Sequence, residues 1–207
     1  MPSCELRADE RDKTVPQLAA FGLEPKVYLD PCNPATALGN RRQAQRIVRD
    51  AEGELLFVED DVDFKPSFPR WLELARERGV ITLFCVLPRV AIPTNVRHAW
   101  RRSGAIRPDL YPLNVTGSFY GVQCVYFPAS AVEKLKACPV LAESKMEPFD
   151  LYLRGRHRQL GGLWGAFPNP VQHRSPESVR HLTGGETRRS VRRSDTYDVP
   201  ESEPLEA

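Results

Sequence analysis

Glu59, Asp60 and Asp61 follow one another directly behind the apolar run Leu55 to Val58, and Asp63 stands two places further on. Carboxylates crowded in this way repel one another unless a cation sits among them. Hard oxygen donors suit Mg²⁺ or Mn²⁺, whose octahedral shell would be completed by waters and phosphate oxygens. An apolar strand that ends in acids places them at its carboxyl-terminal edge, where open α/β sheets bind ligands. In an extended segment Glu59, Asp61 and Asp63 point one way and Asp60 the other. The same residues also fit a solvated turn, whose acids favour the N-terminus of the helix that follows. The metal reading needs carboxylates converging on a cleft, whereas the turn reading leaves them in water.

The elements that must position these acids alternate between strand and helix signals, an α/β pattern. A short strand at residues 4–6 leads into a charged helix that Gly22 stops. Residues 26–29 read as a second strand, closed by the turn-rich DPCNP. Over residues 35–51, Leu38, Ala44, Ile47, Val48 and Ala51 recur with helical spacing. The third strand, residues 54–58, delivers the acids. Behind them Ser67 is placed to cap a helix with Pro69 in its first turn and Gly79 at its end. Residues 80–87 (VITLFCVL) form an apolar run of buried-strand length. Residues 88–112 show no periodicity and are expected to form a long loop. A strand at 121–128, helices at 130–138 and 148–160, and a short strand with a turn up to His173 complete the pattern.

The chain has 207 residues, which suits one domain and a tail, and 41% hydrophobic residues supply a sizeable core. A net charge of +2 argues for no particular partner. The N-terminal residues lack a signal-peptide pattern, and no apolar run is long enough to span a bilayer. The five scattered cysteines form no CxxC pair, so neither a zinc knuckle nor a disulfide framework is indicated, and a cytoplasmic location is expected. The domain is placed at residues 1–173. Beyond it, residues 174–193 carry six arginines against two glutamates and residues 194–207 carry five acids and no base, a charged tail expected to be disordered. Arg97, Arg101, Arg102 and Arg107, with His98 and Trp100, read either as a solvated basic face or as a clamp for a diphosphate or anionic acceptor.

The stretch GNRRQAQRIVRDAEGELLFVEDDVDFKPSF resembles the central motif of glycosyltransferase family 25, the lipooligosaccharide-type galactosyltransferases. Two further pieces follow in the family's order. GVQCVYFPASAVEKL resembles its strand-then-helix segment over the acceptor site, and EPFDLYL followed by PNPVQHRSPES resembles its late Phe-Asp pair and closing Pro-x-x-x-His motif. The resemblance spans about residues 35–178, and its specificity comes from the ordered set.

The resemblance implies a GT-A, Rossmann-like fold: a mixed, mostly parallel sheet flanked by helices in a single domain. It implies transfer of a sugar from a nucleotide-diphosphate donor, a UDP-sugar first, to an acceptor hydroxyl of a glycan, a protein or a modified nucleic-acid base, with inversion. Mn²⁺ or Mg²⁺ would be held by Glu59 and Asp61, with His173 at the position of a late metal ligand and Asp60 alongside as a donor contact. Asp150 would be the base that takes the acceptor's proton, and Glu147, three residues earlier and able to share a helix face, the runner-up. Arg11, Asn40 and Gln43 would approach the nucleotide. Glu147 and Asp150 also fit simple helix N-terminal acids, and His173 a loop residue bonded to backbone. Two other activities fit parts of the sequence: a two-metal phosphodiesterase or nuclease, and a non-enzymatic polyanion-binding module using the arginine-rich loop and tail.

Overall fold

The computed structural model describes residues 1–4, 7–30, 37–84, 93–104, 107–113, 122–138 and 149–174. In chain order the first half contains β1 (Pro2–Cys4), α1 (Ala8–Ala20), β2 (Tyr28–Asp30), α2 (Ala37–Asp50), β3 (Leu55–Val58), β4 (Val62–Phe64), α3 (Phe68–Arg76) and β5 (Val80–Thr82). The second half contains α4 (Thr94–Ser103), β6 (Asp109–Pro112), β7 (Cys124–Phe127), α5 (Ala129–Lys136), α6 (Phe149–Arg156), β8 (Leu163–Phe167) and β9 (Val171–His173).

Five strands form the central sheet in the order β3-β7-β5-β8-β6. All four residues of β7 are buried, because β3 and β5 flank it and both sheet faces are covered. Along β7, Cys124 and Tyr126 face one hydrophobic cluster, and Val125 and Phe127 face the other. This is the two-residue period of a strand covered on both sides. Leu18 of α1 and Phe68, Trp71, Leu72 and Ala75 of α3 fill the first cluster. Ile47 and Val48 of α2, Val132 and Leu135 of α5, and Leu153 of α6 fill the second. Two smaller sheets join the same body: β1 pairs parallel with β2, and β4 pairs antiparallel with β9. Tyr28 carries the first pair into one cluster, and Val62, Phe64 and Val171 carry the second into the other.

The mixed α/β architecture is the expected one, but the balance of strand directions is not. Among the described strands of the central sheet, β5–β8 is parallel, while β3–β7, β5–β7 and β6–β8 are antiparallel. A strand buried on both faces reads as an apolar run whichever way it points, so hydrophobic pattern alone does not reveal direction. The stretch expected as a long loop also contains structure. Helix α4 runs from Pro93 at its N-cap to Gly104, whose φ of 70° closes it, and β6 follows at the sheet edge. Its polar surface hides the period: Trp100 is buried and Val96 half-buried, with His98, Arg101 and Arg102 exposed. The first strand starts two residues earlier than expected, at Pro2. Residues 85–87 of the expected VITLFCVL strand and residues 175–207 of the expected tail lie outside the described residues. No helix among the described residues is long and apolar enough to cross a membrane.

Candidate metal centre

Strand β3 ends in a pairing that carries one residue beyond it: the Glu59 N–H donates to the Gln123 carbonyl at 2.7 Å. Asp60 and Asp61 then turn the chain over into β4. The β4–β9 register sets Val62 opposite His173, so pairing of two three-residue strands brings the histidine to the acidic turn. The next backbone N–H, that of Arg174, donates to the Asp61 carbonyl at 2.7 Å and pins the turn to β9.

The imidazole Nε2 of His173 lies 2.9 Å from Asp61 Oδ2. Donor atoms of Glu59, Asp61 and His173 all lie within 4.8 Å of one another, and these are the three residues expected as metal ligands. Asp60 is 3% exposed and Asp61 1%, so the solvated-turn reading fails. The extended geometry fails too. Because the chain turns at residues 60–61, Asp60 is folded inward beside Asp61 rather than directed away from it.

Two arginines hold the acidic turn. Arg7, just before α1, places Nε 2.9 Å from Asp60 Oδ1 and its Nη2 in contact with Asp61 Oδ2. Asp60 Oδ2 accepts the Ser3 hydroxyl at 2.6 Å, and its carbonyl accepts the Thr14 hydroxyl at 2.7 Å. Arg174 donates to Glu10 Oε2, Asp63 Oδ1 and the carbonyls of Val62 and Glu10 at 2.5 to 3.0 Å. The sequence reading put Arg174 in the tail; it belongs to the folded body.

These neighbours divide the acids electrostatically. Burial pushes the Asp61 carboxyl up, but the hydrogen bond and charge of His173, reinforced by Arg7, outweigh it and hold it at about 2. Glu59 is pushed up to about 7 by burial and then by the charge of Asp61. Burial also raises Asp60 despite Arg7. For His173 burial opposes protonation, yet the Asp61 hydrogen bond and charge prevail and raise it. A hard divalent ion fits this set: two carboxylates and an imidazole are common ligands, and the donor spacing is short. Asp61 Oδ1 and His173 Nδ1 are buried without a hydrogen-bond partner, which leaves donor capacity open at the site.

The other expected site residues are placed as follows. Asp63 lies in β4 and bonds Arg174 and Gln17, outside the three-residue group and not at a helix start. Arg11 lies on α1 with Nε 3.7 Å from Asp12, and Arg7 is the basic residue that reaches the acids. Gln43 is buried, and its amide nitrogen donates to the carbonyls of Ser3 and Tyr28, tying α2 to the β1–β2 pair. Asn40 lies in α2 and Asp150 in the first turn of α6, but both side chains are outside the described residues, as is the whole of Glu147. The sequence reading did not find Arg7, Ser3, Thr14 or Arg174. One available signal was a lone arginine directly before the first helix, and another was an arginine directly after the candidate histidine.

No family model matches the chain, and no curated protein matches it. Among solved structures, the chain is similar to a Bacillus anthracis protein described as a glucose-1-phosphate thymidylyltransferase, crystallised with a sucrose. The TM-score is 0.37 at 10% identity, over 83% of this chain and 68% of that one.

Proposed function

We propose that the chain is a metal-dependent glycosyltransferase that moves a sugar from a nucleotide-diphosphate donor, a UDP-sugar, to an acceptor hydroxyl. The observation that carries this reading is the meeting of Glu59, Asp61 and His173 where β3 gives way to its acidic turn. Glu59, Asp61 and His173 would hold Mn²⁺ or Mg²⁺, and the bound ion would neutralise charge developing on a diphosphate leaving group. Arg7 and Arg174 hold the turn that presents Asp61, and the burial of Asp61 keeps competing water from its carboxylate. Asp150 in α6 is the proposed base, with Glu147 as the alternative. Arg11 and Asn40 are proposed nucleotide contacts. Gln43 and Asp60 are proposed to act from beneath, since their polar atoms are engaged within the protein. Transfer with inversion and membership of glycosyltransferase family 25 belong to the same proposal and rest on the sequence motifs.

A two-metal phosphodiesterase would need a second cluster of ligands, and among the described residues one such group is found. The test is calorimetric titration of UDP with and without Mn²⁺. Wild type is expected to bind UDP when Mn²⁺ is present, and Asp61→Asn to lose roughly 100-fold or more in that binding. UDP binding that ignores Mn²⁺, or survives Asp61→Asn unchanged, removes the proposal.

A further inference from the structure

Asp61 carries two nitrogen neighbours on one oxygen. Its Oδ2 meets His173 Nε2 at 2.9 Å and also touches Arg7 Nη2, while Arg7 Nε rests 2.9 Å from Asp60 Oδ1. The guanidinium therefore spans two buried carboxylates, one of which belongs to the three-residue group that could hold a metal ion. Arginine does not shed its charge in a protein, so a divalent ion arriving at Asp61 meets a fixed positive charge already on that carboxylate. An ion taken on the unpartnered Asp61 Oδ1 would still share one carboxylate with the guanidinium on Oδ2, against strong repulsion.

The two arginines at the turn differ in how they are held. The Arg174 guanidinium contacts three backbone carbonyls as well as Glu10, Asp63 and Thr14, a set that locks it in place. Arg7 instead meets the carboxylates of Asp60 and Asp61; its side chain is 19% exposed, with Nη2 itself buried against Asp61. Its second anchor is rigid. Asp60 is fixed by the Ser3 hydroxyl at 2.6 Å on Oδ2 and by the Thr14 hydroxyl at 2.7 Å on its carbonyl. A guanidinium that leaves Asp61 can keep Asp60 as a pivot and still present a planar fork of N–H donors beside the site. That fork matches phosphate oxygens.

We propose that Arg7 is the displaceable counter-ion of this centre: a divalent cation expels its guanidinium from Asp61, Asp60 retains it, and the freed N–H groups take a phosphate oxygen of the anion that arrives with the metal. This rests on the reading of Glu59, Asp61 and His173 as a metal site and goes beyond it, because it couples metal and anion through one residue. Linkage then requires each ligand to tighten the other.

The experiment is Mn²⁺ titration of the full chain by calorimetry, with and without inorganic pyrophosphate, corrected for Mn²⁺–pyrophosphate association in solution. For wild type, pyrophosphate is expected to tighten Mn²⁺ binding. Arg7→Gln is expected to bind Mn²⁺ alone about tenfold more tightly than wild type and to lose the pyrophosphate effect. A purely structural arginine predicts the opposite sign, since its loss would loosen the turn and weaken the metal. Arg7→Lys keeps the charge without the fork, and is expected to retain wild-type affinity for Mn²⁺ alone with the pyrophosphate effect reduced. If Arg7→Gln does not fold, Arg7→Lys decides: an undiminished pyrophosphate effect overturns the proposal. Equal or weaker Mn²⁺ binding by folded Arg7→Gln also overturns it while leaving the metal reading intact. Wild type that binds no Mn²⁺ overturns both.

Discussion

Glu59 and His173 hold protons more tightly in the folded chain than in the unfolded one, Glu59 first through burial and then the charge of Asp61, His173 through its contact with Asp61. Burial, with the Asp61 charge, lifts Glu59 from 4.5 to about 7. His173 is raised from 6.5 because its contact with Asp61 outweighs its own burial. A carboxyl with a raised folded value binds extra protons between its two values, so Glu59 costs stability progressively as pH rises from 4.5 to about 7. The His173 contribution is complete below 6.5 and is lost as pH rises through its raised folded value. Asp61 acts elsewhere: its depressed value supports the fold at neutral pH and fails only as pH falls from 3.8 toward about 2. The metal-free protein should therefore lose stability as pH rises from 4.5 to about 7, with the His173 contribution lost above 6.5 as well. Glu59→Gln should flatten that slope and raise metal-free stability near pH 8 by on the order of 1–2 kcal/mol, allowing for the partial exposure of the residue. Thermal melts in chelator across this range check it, and a flat wild-type profile contradicts it. The carboxylates were legible in the sequence because their type and spacing announce their chemistry, whereas His173 was singled out through the family resemblance. The ranking of these groups was not legible, since each value is set by neighbours that folding supplies.

The β4–β9 ribbon is the element that assembles the centre, and each of its strands is three residues long. Arg174 staples it to α1 through Glu10 and Thr14, and to β4 through Asp63 and the Val62 carbonyl. Arg174→Ala would remove this partner from Glu10 and Asp63 and one donor each from the carbonyls of Glu10, Asp60 and Val62. The expected cost is about 2–3 kcal/mol, below the figure for fully buried pairs because Asp63 is 41% exposed. Urea unfolding measures it, and a loss under about 0.5 kcal/mol would show that the ribbon does not need the staple. The same variant should weaken Mn²⁺ binding, since the Arg174 backbone follows the ligand His173 directly. Short elements explain what pattern reading missed. Strand β4 (VDF) has too few residues to show a period, and α4 turns just Val96 and Trp100 toward the core. Longer runs were legible: α2 and β3 lie within a residue or two of their expected bounds.

Across the whole molecule, the sheet separates two cores, and β8 shows how tightly they are filled. Leu163 and Phe167 face one cluster, Trp164 and Ala166 the other, and Gly165 falls on the Phe167 side by alternation. A Cβ at Gly165 would stand 2.7 Å from the Phe167 ring and 2.8 Å from Leu113, closer than packed atoms tolerate. Gly165→Ala should destabilise the protein by about 1–3 kcal/mol through overpacking, read from denaturant midpoints, with Mn²⁺ affinity of the folded fraction unchanged. A neutral Gly165→Ala would mean that the sheet and α-helical layers can shift to admit a methyl group. By itself, the sequence determined the α/β alternation, the apolar run that delivers acids to a strand end, and the donor types suited to a hard cation. These are local properties, carried by side-chain chemistry and by periods of two and 3.6. Tertiary structure alone decided that β4 pairs with β9 and so brings His173 to Asp61, that three of the four described pairings in the central sheet run antiparallel, and that Arg7 and Arg174 close on the acidic turn. Those contacts join residues far apart in the chain, and their free energy exists only once both sheet faces are covered and the acids have left water.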